Sequence, residues 1–187
     1  GVDPKNVDTV LLTHAHFDHV GNLNDYPNAH FTLHAEEMAS ITGPDMTYAP
    51  FRLAYHKRDT TRLVELVYED RLSFYTEKVT PVAPGIEFHL VGGHARGQLV
   101  LRVHTQRGWI VLASDAVHLY EEVESERPFA IFYDLKEMID GYRTCVDLAG
   151  GIERLISGHD PKVNDWYPAI APEFEGMVLD LGADPQF

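Results

Sequence analysis

The chain has 187 residues, a formal charge of −14 and a hydrophobic content of 44%, which fits one globular domain and excludes disorder as the main state. Its single cysteine, Cys145, excludes an internal disulfide and a cysteine-rich zinc module. The acidic balance opposes a nucleic-acid partner, because phosphate neutralisation needs clustered Lys and Arg. Apolar runs fall far short of the ~20 residues that cross a bilayer, so no membrane partner is expected. No signal-peptide pattern is read, and the expected location is cytoplasmic.

In chain order, residues 7–13 (VDTVLLT) read as a buried strand, short and rich in β-branched side chains. A polar cluster follows at 13–22, then a turn at Pro27-Asn28, a second strand over 29–33 and a helical turn or two over 36–41. Residues 43–60 form an aromatic loop with Tyr48, Phe51 and Tyr55, which either line a pocket for an acyl chain or close over the core. A helix is predicted over 61–72. Strands are predicted over 86–91, 99–105 and 109–114, with a hairpin turn at Gln106-Arg107-Gly108. Tyr120 is expected to pack, and the acidic run 121–126 reads as a solvated face. The best helix starts after Asp134, a candidate N-cap with Glu137 at the capping-box position. Leu135, Met138, Ile139, Tyr142, Cys145, Val146 and Ala149 give it a one-sided apolar stripe, and Gly150-Gly151 ends it. A short strand over 154–156 leads to Gly158-His159-Asp160-Pro161. No repeat or linker divides the chain, so residues 1–187 read as one domain.

The chemistry concentrates at the end of the first strand, in His14-x-His16-x-Asp18-His19. Alternate residues of an extended strand end share a side, so His14 and His16 can reach one metal together. Asp18 and His19 follow a turn later and can address a second position. Imidazole nitrogen and carboxylate oxygen suit zinc and similar first-row ions. Three more candidate ligands, His94, Asp115 and His159, each follow a predicted strand, where sites of α/β proteins gather. His30, His34, His56, His89 and His104 lack this context and read as structural or exposed. Phe17 is expected to pack beside the metal loop.

The stretch THAHFDHVG (13–21) resembles the signature of the metallo-β-lactamase superfamily. GGHARGQ (92–98), Ser114-Asp115-Ala116 and SGHDP (157–161) resemble its N-acyl-homoserine lactonase branch. The resemblance implies an αββα sandwich with two divalent metal ions, zinc by default. His14, His16 and His94 would bind the first ion, Asp18, His19 and His159 the second, and Asp115 both. It further implies a small lactone or ester substrate opened by a hydroxide between the metals, with Asp18 returning a proton to the leaving oxygen. In lactonases of that branch a tyrosine three residues after the bridging Asp contacts the substrate carbonyl. Here His118 holds that position, either as the equivalent donor, or as a histidine that supports a metal ligand from behind or lies on a helix surface. Another ester or thioester hydrolase of the same fold, and a non-catalytic metal-binding remnant, are the alternatives. RNA-processing members expect a basic surface, and flavodiiron reductases place Glu where His16 stands. Family members carry further strands before the histidine motif. The expectation is therefore a domain incomplete at its N-terminus, whose uncovered apolar face is met by a longer chain or by a homo-oligomer.

Overall fold

A computed structural model of the chain describes residues 2–187. The first half contains β1 (Thr9–Leu11), α1 (Phe17–Val20), β2 (His30–His34), α2 (Ala35–Ile41), α3 (Lys57–Tyr68) and β3 (Leu72–Tyr75). The second contains β4 (Val79–Ala83), β5 (Ile86–Leu90), β6 (Leu99–Thr105), β7 (Gly108–Leu112), α4 (Tyr120–Ser125), α5 (Leu135–Ala149), β8 (Leu155–Ile156) and α6 (Lys162–Trp166). The strands form two sheets. One is parallel, in the order β1-β2-β3; the other runs β4-β5-β6-β7-β8, antiparallel except for the β7–β8 pair.

Each sheet carries helices on one face, which gives the expected α/β sandwich. Leu63 and Leu66 of α3 and Ile41 of α2 pack with Phe31 and Leu33 of β2. Met138, Tyr142, Cys145 and Ala149 of α5 pack with Val100, Val111 and Leu155. Strand alternation then sends Ile110, Leu112 and Ile156 to the opposite face, where Tyr167, Leu179 and Leu181 of the C-terminal segment cover them. The sheets meet where the Leu99 N–H donates to the Thr13 carbonyl (2.9 Å) and where the Tyr75 and Phe88 rings touch edge to face. Thr13 is the residue that leads from β1 into the histidine motif.

Several sequence expectations shift. The helix predicted over 61–72 spans Lys57–Tyr68, because its first turn is polar, buried Asp59 included, and leaves no apolar stripe to read. Asp70 then adopts a left-handed turn (φ 57°) and Leu72 enters β3 instead. β3 and β4 are additions to the predicted elements: each is short, and β4 contains Pro81 beside a register shift at the sheet edge. Leu135 lies outside the α5 stripe at 52% exposure. The Asp134 carboxylate caps α5 by accepting from the Glu137 N–H (2.8 Å), but the reciprocal half of the capping box is absent. The Glu137 carboxylate instead accepts from the Gly93 N–H (3.3 Å), which ties α5 to the loop before His94.

Candidate metal centre

Four loops bring the candidate ligands together at the strand ends. β1 delivers His14 and His16, α1 carries Asp18 and His19, the β5–β6 loop carries His94, the turn after β7 carries Asp115, and the turn after β8 carries His159. All seven expected metal ligands converge. Among the described residues they fall into two sets, His14, His16, His94 and Asp115, and Asp18, His19, Asp115 and His159. Within each set the donor atoms lie within 4.8 Å of one another, the scale set by ligands about 2 Å from a shared centre.

Asp115 is common to both sets, and its two oxygens divide between them. Oδ2 lies 3.3 Å from His94 Nε2 and 3.9 Å from His14 Nε2; Oδ1 lies 3.1 Å from His19 Nε2 and 3.3 Å from His159 Nε2. His94 Nε2 and His16 Nδ1 approach to 2.8 Å. His94 Nδ1 donates to the Ile131 carbonyl (2.9 Å), which leaves the lone pair on Nε2 facing the cluster. His14 is oriented similarly, with Nδ1 3.2 Å from the Thr13 hydroxyl, while its Nε2 is buried without a hydrogen-bond partner. A buried orphan nitrogen is costly unless something binds it. That orphan, beside a donor set of imidazoles and carboxylates, fits a divalent cation.

The electrostatics agree. Burial holds His14 well below the usual imidazole range, reinforced by the neighbouring histidines. Burial also lowers His16 to about 4 and His94 to about 3. All three are neutral at neutral pH, the state a metal ligand requires. Burial acts to raise Asp115, yet hydrogen bonds to His118 and His19 outweigh it and hold the carboxyl far below the usual range. Asp115 is therefore an anion between two groups of imidazoles.

His118 belongs to the site and is not a helix-surface residue. It is 5% exposed, with Nε2 3.3 Å from Asp115 Oδ2 and its ring stacked on Phe129. Burial lowers its pKa, but Asp115 and Glu122 together carry it to about 9. Glu122 corrects the reading of residues 121–126 as a solvated face. It is 4% exposed, accepts from the His118 N–H (3.2 Å) and the Tyr142 hydroxyl (3.2 Å), and lies 3.7 Å from His118 Nδ1. Little signal is available in the sequence: Glu122 follows His118 by four residues, but His118 precedes α4, so no helix face pairs them. Tyr120 packs as expected, buried with its hydroxyl donating to the Leu155 carbonyl.

Glu37 is the other residue that sequence reasoning missed. It is fully buried in the first turn of α2 and accepts hydrogen bonds from the loops that hold His14, His16 and His94. The signal is faint: Glu37, Ser40 and Ile41 share the buried face of a helix whose acidic start reads as ordinary N-terminal charge. The aromatic loop divides in two. Tyr55 lies edge-on to His16, while Tyr48 and Phe51 are exposed, Phe51 against Tyr133. Phe17 stacks on His56 beside the cluster. A cavity of about 270 Å³ opens over the site, walled by Phe17, Ala54, Leu119, Phe129 and Ile131 above His16, Asp18, His94, Asp115, His118 and His159. A larger hollow of about 600 Å³ lies alongside β1 and touches only Asp18 and His19 of the seven ligands.

Comparison with known proteins bears on the family and the fold. The family profile described as the metallo-beta-lactamase superfamily matches residues 1–160. An N-acyl homoserine lactonase of Bacillus cereus is 26% identical over 138 residues, which is 71% of this chain and 47% of that protein. A ribonuclease of Thermus thermophilus is 42% identical over 77 residues, 41% of this chain and 14% of that protein. Among solved structures, an N-acyl homoserine lactone hydrolase with N-hexanoyl-L-homoserine bound at its catalytic metal centre superposes with a TM-score of 0.70 at 22% identity. That superposition covers 88% of this chain and 60% of the other. The chain thus spans about half the length of the curated lactonase it matches.

Proposed function

The chain belongs to the metallo-β-lactamase superfamily, and on that basis we propose that it is a dinuclear metal-dependent hydrolase that opens lactone rings, with N-acyl homoserine lactones as the substrate class. The observation that carries the proposal is the division of Asp115, with one oxygen toward His14 and His94 and the other toward His19 and His159. His14, His16 and His94 would hold one divalent ion, Asp18, His19 and His159 the second, and Asp115 both; zinc suits this nitrogen and oxygen set. When bound, the ions supply Lewis acidity toward a carbonyl oxygen and a water of lowered pKa.

The protein's own groups do the rest. His118, whose Nε2 lies 3.3 Å from Asp115 Oδ2 at the floor of the cavity, would donate a hydrogen bond to the substrate carbonyl oxygen in place of a tyrosine. The Asp18 side chain is 42% exposed at the cavity, and its carboxylate would accept a proton of the attacking water and return it to the leaving ring oxygen, so that the ring opens to an acid and an alcohol. Phe17, Leu119, Phe129 and Ile131 offer an apolar wall to the acyl chain and exclude water from the reacting ester. The local match to a ribonuclease does not favour an RNA substrate, because a charge of −14 repels a polyanion.

A panel of acyl-homoserine lactones, linear esters, thioesters and a β-lactam, assayed on zinc-loaded protein, tests the proposal. Lactones should exceed the other classes in kcat/KM by at least about 10-fold, the discrimination that well-placed pocket contacts support. Turnover of thioesters or linear esters alone would move the chain to another hydrolase class. Two bound ions with no turnover of any of them would favour a metal-binding remnant.

A further inference from the structure

We propose that Glu37 is a positioning residue that sets the cation affinity of the His14–His16–His94 cluster, and of that cluster alone; the inference rests on reading the cluster as a metal site. Glu37 Oε1 accepts from the Ala15 N–H (3.0 Å) and from the Tyr55 hydroxyl (3.1 Å), and Oε2 accepts from the Gly97 N–H (2.9 Å). Ala15 lies between His14 and His16, and Gly97 lies in the loop that carries His94. One carboxylate therefore ties together two loops remote in sequence, each bearing imidazoles of the first set.

The fit is tight. A Cβ at Gly97 would come within 2.4 Å of both the Glu37 backbone nitrogen and its Cβ, so the His94 loop lies directly against α2. Tyr55 completes the clamp. Burial and the nearby carboxylate push its hydroxyl well above the usual range, so it stays a donor to Glu37, while its ring packs edge-on to His16. Burial also raises Glu37 itself; its compensation comes from these three donors and from no Lys or Arg. A buried carboxylate that costs desolvation and holds backbone amides at the site is placed to orient ligands rather than to react. The second set receives no such support. Asp18 and His19 lie on α1 and His159 follows β8, with side chains 42%, 24% and 46% exposed, and none contacts Glu37.

The substitution Glu37→Gln retains the shape but presents one acceptor oxygen and one donor nitrogen to two backbone donors. The test titrates metal-stripped wild type, Glu37→Gln and Tyr55→Phe with Zn2+ against a chromophoric chelator, with thermal melts in parallel. Wild type should take up two ions. Glu37→Gln should hold one at wild-type affinity and the other about 10–100-fold more weakly, the range for outer supports of metal ligands. Tyr55→Phe, which keeps the ring against His16, should show a smaller loss at the same ion. Affinities within about twofold of wild type in folded Glu37→Gln overturn the inference, since outer supports are worth more than that, and Tyr55→Phe decides in the same way if Glu37→Gln does not fold. Equal weakening of both ions also overturns it, because the clamp reaches only one set. A wild-type chain that takes up no ion overturns the metal-centre reading itself, a result distinct from the others.

Discussion

At the scale of single residues, the chemistry turns on which groups are neutral and which are charged inside one small volume. His14, His16 and His94 are kept neutral by burial, while Asp115 is kept ionised by the histidines around it. His118 is the exception among the buried imidazoles, because Asp115 and Glu122 grip it from two sides. His118→Phe preserves a ring to stack on Phe129 and removes the donor. It should lower kcat/KM for lactones by about 100-fold, the loss typical of one oxyanion donor, with two ions still bound. Unchanged turnover would show that His118 does not touch the carbonyl. The seven candidate ligands were legible in the sequence because a motif at a strand end and three strand-terminal residues announce themselves by type and position. Glu37 and Glu122 were not, since each is defined by what it touches. Glu37 meets Ala15 and Gly97 from distant parts of the chain, and Glu122 was masked by the exposed acids beside it.

Elements fix those residues in place, and α5 shows how local sequence and tertiary contact divide the task. Asp134 satisfies the Glu137 N–H, and Gly150 closes the helix in the left-handed conformation (φ 77°), its N–H donating to the Val146 carbonyl. Both ends were readable from the cap residues. The use of Glu137 was not, since its carboxylate serves the Gly93 N–H instead of its own helix. Asp134→Ala should cost about 1 kcal/mol and lower the melting temperature by about 2–4 °C in a chain of this size. A melt indistinguishable from wild type would mean that the cap is replaced by water without loss. Strands β6 and β7 were legible as apolar runs around the turn read at Gln106-Arg107-Gly108, although Gly108 pairs with Thr105 and belongs to β7, whereas β3 and β4 lack the length and alternation that reveal a strand. The start of α3 was hidden for a related reason: its early residues are polar, and the one that is buried there is Asp59, so the apolar period begins only at Leu63.

Across the whole molecule, two sheets of different character converge on one edge. The parallel sheet delivers the His14–His19 segment, and the mixed sheet delivers His94, Asp115 and His159. Neither sheet holds all members of either candidate set, so the candidate centre forms only when both halves are packed, and Asp115 is the residue common to the two sets. Under the proposed function, an acidic chain that presents this cluster beneath apolar walls suits a small uncharged ester better than a polyanion. No helix among the described residues is long and apolar enough to cross a membrane. The proposed function stands or falls on seven side chains holding two divalent ions with Asp115 shared. Elemental analysis of zinc-loaded, desalted wild type and Asp115→Ala is the decisive check. The expected outcome is about two ions per wild-type chain, with the variant losing both at least about 100-fold more readily to a chelator, since loss of a shared ligand should exceed the loss of an outer support. Two ions held equally well by the variant, or none by the wild type, would refute the shared-ligand centre.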